Sequence, residues 1–380
     1  MKILQVFTIL PTAVSFFDGQ LRYLVDQGNE IHVVSDSPED PDFTNRNRIV
    51  YHRLPIARSI SPTMDIKSIR LLANLMRQEN FDMVIGHTPK GALVAMMASK
   101  LAGVKNRVYY RHGLIYTTAQ GVKRKVFKAV ERLTAYMATS VVNVSNSLSR
   151  LAVADGLNPD AKQYVIGKGT CGGIDTKRTF NPDLVDEESV AELKRSLGLD
   201  PEDYVVGFCG RLCKDKGVRE LVDGFKLLRK RNENVKLLLV GPYDTRDILP
   251  EEYKKEIESN PDIIGTGRIA KNMLPLYYQL MDVFVLPSYR EGFGMSVLEA
   301  SAMNKPVLVS RSHGCVDSIV EGETGLYIDI SPEDIAAQIE CVKGSTNSYG
   351  VKGRKWVCEN FDSESMWPKV SSLLDELCLK

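Results

Sequence analysis

Residues 282–325 read DVFVLPSYREGFGMSVLEASAMNKPVLVSRSHGCVDSIVEGETG. Asp282 to Leu286 is a short apolar run, the length of one buried strand. Pro287 and Ser288 end it, and Glu291, Gly292, Phe293 and Gly294 form a glycine-hinged corner. Residues 295–303 then read as a helix with Leu298 and Ala302 on one face, Lys305 and Pro306 stop it, and 307–309 is the next strand. This is a strand, glycine corner, helix, strand unit. It puts Glu291 at the carboxyl end of a strand and Glu299 about one turn into the helix.

The physics of such a corner favours a ligand. Gly292 and Gly294 let the backbone approach closely, and the helix amino terminus presents unpaired N–H groups that attract phosphate. A glutamate in the same corner does not serve phosphate. It is suited to accepting hydrogen bonds from hydroxyls, which means sugar or ribose. The bland alternative is a simple turn flanked by two solvated carboxylates, and a lone GxG does not exclude it.

Length and composition favour two domains of ordinary soluble character. It has 380 residues, 43% hydrophobic and 26% charged, with net charge +1. No apolar run reaches the ~18 residues of a membrane span. The first residues, MKILQVF, lead to Pro11 and Asp18 and read as a buried strand, not a signal peptide. Seven cysteines fit no zinc spacing, Cys209 and Cys213 included, and are expected to be reduced thiols of a cytoplasmic protein. Residues 1–175 hold 22 Lys/Arg against 14 Asp/Glu, and the remainder 27 against 34. That asymmetry points to two units with different partners. The basic half has no aromatic-rich stripe, so nucleic acid is not the expected partner; anionic lipid or a phosphate-bearing acceptor is.

Strand and helix patterns alternate throughout, the mark of an α/β fold with parallel sheets covered on both faces. In the first half, strands are expected at 2–7, 31–35, 83–86, 107–110, 140–144 and 163–166, and helices at 20–26, 66–77 and 91–102. Residues 171–175 and 180–183 read as turns at a domain junction, with a charged helix at 186–198. The second half repeats the rhythm: strands at 204–209, 236–240, 263–265 and 326–328, helices at 218–231, 272–281, 331–342 and 364–379.

Ligands of such sheets bind beyond the carboxyl ends of the strands, and three further groups fall there. Arg211 and Lys216 share one glycine-bounded loop, five residues apart, and could neutralise a diphosphate; the alternative is a solvated turn. His87 and His112 each follow a strand, as candidates for proton transfer or polar contact, or as plain loop residues. Residues 123–137, KRKVFKAVERLTAYM, form a basic amphipathic helix with Val126, Val130, Leu133 and Met137 on one stripe. It could dock on an anionic membrane or pack its stripe into the core.

Together, GRLCKDKG (210–217), LLLVG (237–241), IIGTGR (263–268), the 282–310 stretch and EGETGLYID (321–329) resemble the second domain of retaining glycosyltransferases of family 4. Glu291 and Glu299, with seven residues between them, match that family's glutamate pair. More loosely, HTPKGALVAMMASKLAGVKNRVYYRHGL (87–114) is similar to a stretch of bacterial capsule and O-antigen members. The resemblance implies the GT-B fold, two Rossmann-like domains facing across a cleft: 1–175 for the acceptor, 176–362 for the nucleotide sugar, and a helix at 363–380 packing back toward the first. It implies that Arg211 and Lys216 hold the donor diphosphate, Glu299 the ribose and Glu291 the sugar hydroxyls. The N–H groups of Gly292, Phe293 and Gly294 would contact sugar or phosphate, Arg268 would lie beside the base, and His112 would touch the sugar's outer hydroxyl. Such enzymes need no metal or other cofactor.

The expected reaction is retaining, front-face transfer from a UDP-sugar, an N-acetylhexosamine, to an undecaprenyl-linked saccharide in bacterial surface-polysaccharide assembly. The protein would sit peripherally on the cytoplasmic face of the inner membrane. A sugar-nucleotide epimerase of the same fold and a non-catalytic nucleotide-sugar-binding subunit are the rival expectations. Two features depart from the family pattern. The stretch 8–14, TILPTAV, lacks the Gly-Gly many members carry after the first strand, and Asp317 replaces a usual glutamate and is expected to cap a helix.

Overall fold

The computed structural model describes residues 1–57, 61–170, 172–343 and 348–379; Cys171, within the expected 171–175 turn, lies outside them. The chain divides into two compact units, Met1–Gly173 with Ser363–Lys380, and Ile174–Asp362.

The first unit is built on seven parallel strands: β1 (Lys2–Val6), β2 (Glu30–Ser35), β3 (Val50–Arg53), β4 (Met83–His87), β5 (Asn106–Arg111), β6 (Ser140–Asn143) and β7 (Gln163–Val165). Their order is β3-β2-β1-β4-β5-β6-β7. The central strands are mostly apolar and buried because both faces are covered by helices. β3 is the exception: VYHR is a half-exposed edge strand with no apolar run to announce it. The helix Leu10–Asp26 begins ten residues before the expected 20–26. Pro11 does not prevent this, because the first turn of a helix has no use for its N–H. The terminal helix Ser363–Leu379 belongs to this unit, where the Trp367 indole N–H donates to the Gly172 carbonyl at 3.1 Å.

The second unit has six parallel strands, β8 (Tyr204–Cys209), β9 (Val235–Val240), β10 (Ile263–Gly265), β11 (Val283–Leu286), β12 (Val307–Ser310) and β13 (Leu326–Ile328). They lie in the order β10-β9-β8-β11-β12-β13. In each unit the order reverses between two central strands, β1 and β4 in the first and β8 and β11 in the second. The loops leaving these pairs at their carboxyl ends part from one another and open a crevice.

In the second unit those loops are locked together by contact. Gly217, which ends the loop after β8, has φ +66, and a Cβ there would stand 2.0 Å from the Pro287 carbonyl oxygen at the end of β11. Gly198 has nearly the same backbone, φ +68, with nothing within 4 Å of its would-be Cβ. Gly198→Ala should therefore cost only the left-handed strain, about 1 kcal/mol. Gly217→Ala should cost that plus displacement of a loop, about 2–3 kcal/mol or more. Trp356 lies in the second unit, so urea unfolding followed by its fluorescence in a Trp367→Phe background measures the difference.

Candidate functional site

The loop after β8 carries both expected cations, and neither projects alone into solvent. Arg211 Nη1 pairs with Asp244, whose side chain is almost wholly buried on the loop after β9. The other Asp244 oxygen accepts the backbone N–H groups of Arg246 at 2.7 Å and Asp247 at 3.0 Å, so the carboxylate cannot swing away. Asp247 in turn accepts the Asp215 N–H at 2.7 Å. Lys216 lies on the same short turn, Lys214–Lys216, and its ammonium pairs with Glu291 on the corner after β11. Asp215 also pairs with Arg290, and its carbonyl accepts the Tyr289 N–H at 2.9 Å. The reversal point is thus bridged by two ion pairs and a backbone hydrogen bond.

The corner itself is fixed from below. Phe293 is buried with its ring 5.3 Å from that of Phe361, which points its backbone away from the core. Gly314, on the loop after β12, has φ +85, and a Cβ there would lie 2.6 Å from the Gly292 carbonyl and 2.8 Å from that of Glu291. Only glycine lets this loop support the corner so closely. The corner feeds the helix Met295–Ala302 through Gly294, and no side chain caps that amino terminus. Asp317 ends a short turn, Cys315–Asp317, that begins after Gly314.

Glu299 stands on the same helix and accepts the Tyr278 hydroxyl at 2.8 Å. Burial raises its pKa, and Lys271 and the Tyr278 hydrogen bond pull it back. Burial and the Glu299 charge push Cys209 up to about 12, and burial does the same for Cys315 beside Glu291. Both sulfurs therefore stay as thiols near the site and are not nucleophiles. Arg268 is exposed on the loop after β10, joined to this group through backbone: Gly267 bridges to Gly241 at the end of β9. Asp244, Tyr278, Lys271 and Gly314 are site residues that sequence reasoning missed. Asp244 alone carried a signal, as an acidic residue just past the LLLVG strand.

His112 and His87 lie in the first unit, at the carboxyl ends of β5 and β4. Their rings are hydrogen-bonded, His87 Nδ1 to His112 Nε2 at 3.0 Å. Burial and the neighbouring imidazole hold His87 well below its ordinary pKa, and burial brings His112 to about 4. Both rings are neutral at physiological pH.

The basic helix, Gly121–Met137, buries Glu131, Thr134 and Ala135, and of its apolar stripe Val130 and Met137 are half-buried. Glu131 is anchored by the Tyr109 hydroxyl at 2.9 Å and by buried Arg111 at 3.6 Å. Val126 and Leu133 are exposed, as are Val122 (77%) and Tyr136 (72%). Lys128, expected among the surface charges, is committed to Asp155 at 2.7 Å, and Arg132 to the Gly156 carbonyl at 3.0 Å. Among the described residues no helix is long and apolar enough to cross a membrane.

Two parallel-sheet units of this topology, with a cation loop and a glutamate pair meeting at the reversal point of the second, define a GT-B glycosyltransferase. Family comparison agrees: residues 16–170 match Glycosyltransferase Family 4 and residues 189–348 match Glycosyl transferases group 1. The chain belongs to the family 4 glycosyltransferases and is a transferase. It is 29% identical to the capsular polysaccharide biosynthesis glycosyltransferase CapM of Staphylococcus aureus, over 98% of this chain and 96% of that one. It is 27% identical to the N,N'-diacetylbacillosaminyl-diphospho-undecaprenol alpha-1,3-N-acetylgalactosaminyltransferase of Campylobacter jejuni, over 81% and 80%. Among solved structures, the Anabaena HepE complex with UDP-glucose superposes with a TM-score of 0.80 at 18% identity, over 99% of this chain and 100% of that one.

The depressed histidines have a consequence for stability. As pH falls below about 6.5 the unfolded chain takes up protons, while folded His112 takes one only near 4. The first unit should therefore be at full stability above pH 6.5 and lose it steadily between 6.5 and 4. Urea midpoints read from Trp367 at several pH values check the slope, and His112→Gln should flatten it.

Proposed function

We propose that this enzyme moves an N-acetylhexosamine from a UDP-sugar to a lipid-linked saccharide in bacterial surface-polysaccharide assembly, retaining the anomeric configuration and using no metal ion. The observation that carries the reading is the pairing of Lys216 with Glu291 across the β8–β11 reversal, with Arg211 on the same loop as Lys216 and Glu299 one turn further on. Two cations beside an uncapped helix amino terminus suit a diphosphate leaving group, the charge a divalent ion would otherwise neutralise. Glu299, oriented by Tyr278, suits a ribose, and Glu291 suits the hydroxyls of the transferred sugar. The amides of Gly292, Phe293 and Gly294 would meet the sugar or phosphate, Arg268 the base and His112 an outer sugar hydroxyl. The Campylobacter relative's name supports the hexosamine and the undecaprenyl-linked acceptor, and the Anabaena complex supports UDP.

In this mechanism the bond from the anomeric carbon to the diphosphate breaks and one from the acceptor oxygen forms on the same face. The departing phosphate oxygen takes the acceptor's proton, so no separate base is needed. Arg211 and Lys216 stabilise the charge that develops on the diphosphate. Lys216 exchanges Glu291 for phosphate as donor binds, which frees Glu291 for the sugar.

The exchange makes a specific demand on Glu291→Ala. Turnover should fall at least about 100-fold, while affinity for UDP stays equal or rises, since Lys216 has lost a competing partner. Titration calorimetry and radiolabelled transfer, both in EDTA, measure this. A thermal-shift panel of UDP, GDP, ADP and their sugars, also in EDTA, should stabilise the protein with uridine compounds. Parallel loss of UDP affinity, a guanosine-only shift, or dependence on added metal would each defeat its part of the reading.

The basic helix fits the inner-leaflet surface. Its exposed face alternates Val122 and Val126 with Lys123, Arg124 and Lys125, charge and apolar area together. Replacing those three cations with glutamine should cut binding to vesicles containing 30% phosphatidylglycerol about tenfold or more, at roughly 1 kcal/mol per charge. Lys128→Gln should act on stability instead, through Asp155. Sedimentation with vesicles separates the two, and equal effects would return the helix to a structural role.

A further inference from the structure

Two neighbouring residues on each of two loops carry opposite charges: Asp215 and Lys216 after β8, Arg290 and Glu291 after β11. They pair residue for residue, Asp215 with Arg290 and Lys216 with Glu291. The reaction as proposed takes Lys216 and Glu291 apart and leaves the other pair without a role. That pair is built in. The Arg290 and Asp215 side chains are only 25% and 24% exposed, so water and salt screen them weakly. Arg290 Nε is buried with no acceptor among the described residues, so the bond from Nη2 to Asp215 is what orients the guanidinium. The Asp215 backbone is held as well. Its N–H donates to Asp247 at 2.7 Å, and its carbonyl accepts the Tyr289 N–H at 2.9 Å. The buried Ser288 hydroxyl, just past β11, lies 3.1 Å from the Asp215 carbonyl oxygen and 3.0 Å from that of Arg290. One buried oxygen thus touches the backbone of both partners.

The bonds to the Asp215 carbonyl tie the loop after β8 to Ser288 and Tyr289, which precede the glycine corner. Glu291 lies beyond them, on the corner itself. Past those bonds the two side-chain pairs join the loops, and the donor opens one of them. We propose that Asp215 and Arg290 are positioning residues whose ion pair persists when the donor takes Lys216 from Glu291. It holds the ammonium against the diphosphate and the carboxylate beside the sugar. The pair is neutral as a unit, so it neither repels the anionic donor nor competes with Lys216 for it. Two links in parallel make each partly redundant, and the second shows its full effect only once the first is open. The same logic lets Glu291→Ala keep its affinity for UDP. The inference rests on the donor reading of Lys216 and Glu291, and its test separates the two.

Charge alone and positioning predict different signs. Removing a carboxylate should tighten an anion and removing a guanidinium should loosen it, whereas loss of a shared link loosens it in both cases. Asp215→Asn and Arg290→Gln should therefore each weaken UDP binding about tenfold, by titration calorimetry of the folded protein in EDTA. The double variant should lie within about twofold of either. Unchanged or tighter binding in Asp215→Asn overturns the proposal, and so do losses that multiply to about 100-fold in the double variant. A loss confined to Arg290→Gln would make Arg290 a direct phosphate contact and overturn it too. A second measurement needs no ligand: urea unfolding read from Trp356 in the Trp367→Phe background. The midpoint lost through Asp215→Asn should be about twice as large in Glu291→Ala as in the parent, because no second link remains; an equal loss overturns the proposal. A parent protein that fails to bind UDP would defeat the donor reading, and the urea comparison would still decide whether this pair is the retained link.

Discussion

The ion pair between Lys216 and Glu291 joins the two loops that the sheet topology separates. Parallel strands of reversed order send their connections to opposite faces, so the crevice at β8 and β11 exists before any side chain is placed. A cation on one lip and a carboxylate on the other then close it with a removable link. Removability distinguishes this pair from the Arg211–Asp244 pair behind it. Asp244 is buried and holds two backbone N–H groups as well, so its geometry is permanent. Glu291 sits on a glycine corner whose support comes from Gly314 beneath, and its carboxylate is paired with Lys216. The site therefore has a rigid wall and an exchangeable lip, which suits a charged substrate that must enter and leave.

The first unit solves a different problem with the same topology. Its reversal point holds neutral, desolvated aromatic and imidazole rings where the second unit holds charges. Stacking and the hydrogen bonds that link Gln5, His87 and His112 order these rings without any net charge. The two crevices thus differ in chemistry: one is lined by charges, the other by neutral rings.

Much of this was legible because parallel, doubly buried strands write themselves as apolar runs closed by glycine or proline. Val283–Leu286, Tyr204–Cys209 and Lys2–Val6 could hardly be read otherwise. The glutamate pair and the Arg211–Lys216 loop were visible for a related reason, since they flank those runs. What stayed hidden depends on contacts far apart in sequence. Tyr278 looks like any helix tyrosine until it meets Glu299, and Gln5 like any strand residue until it meets His87. β3 was missed because an edge strand needs only one protected face. The basic helix could be read two ways from its periodicity. Half of its apolar stripe is half-buried, and the core also took Glu131, because buried Arg111 and Tyr109 reward a carboxylate there.

The terminal helix Ser363–Leu379 belongs to the first unit although it follows the second in the chain. The second unit is therefore an insertion within the first. During synthesis every residue of the inserted unit leaves the ribosome before the helix that completes its host. The amino-terminal unit, begun first, finishes last, and must wait with the surface that receives Trp367 uncovered while about 190 residues are added. Order of translation and order of completion are inverted in this protein, and its longest-lived incomplete state belongs to the half that begins the chain.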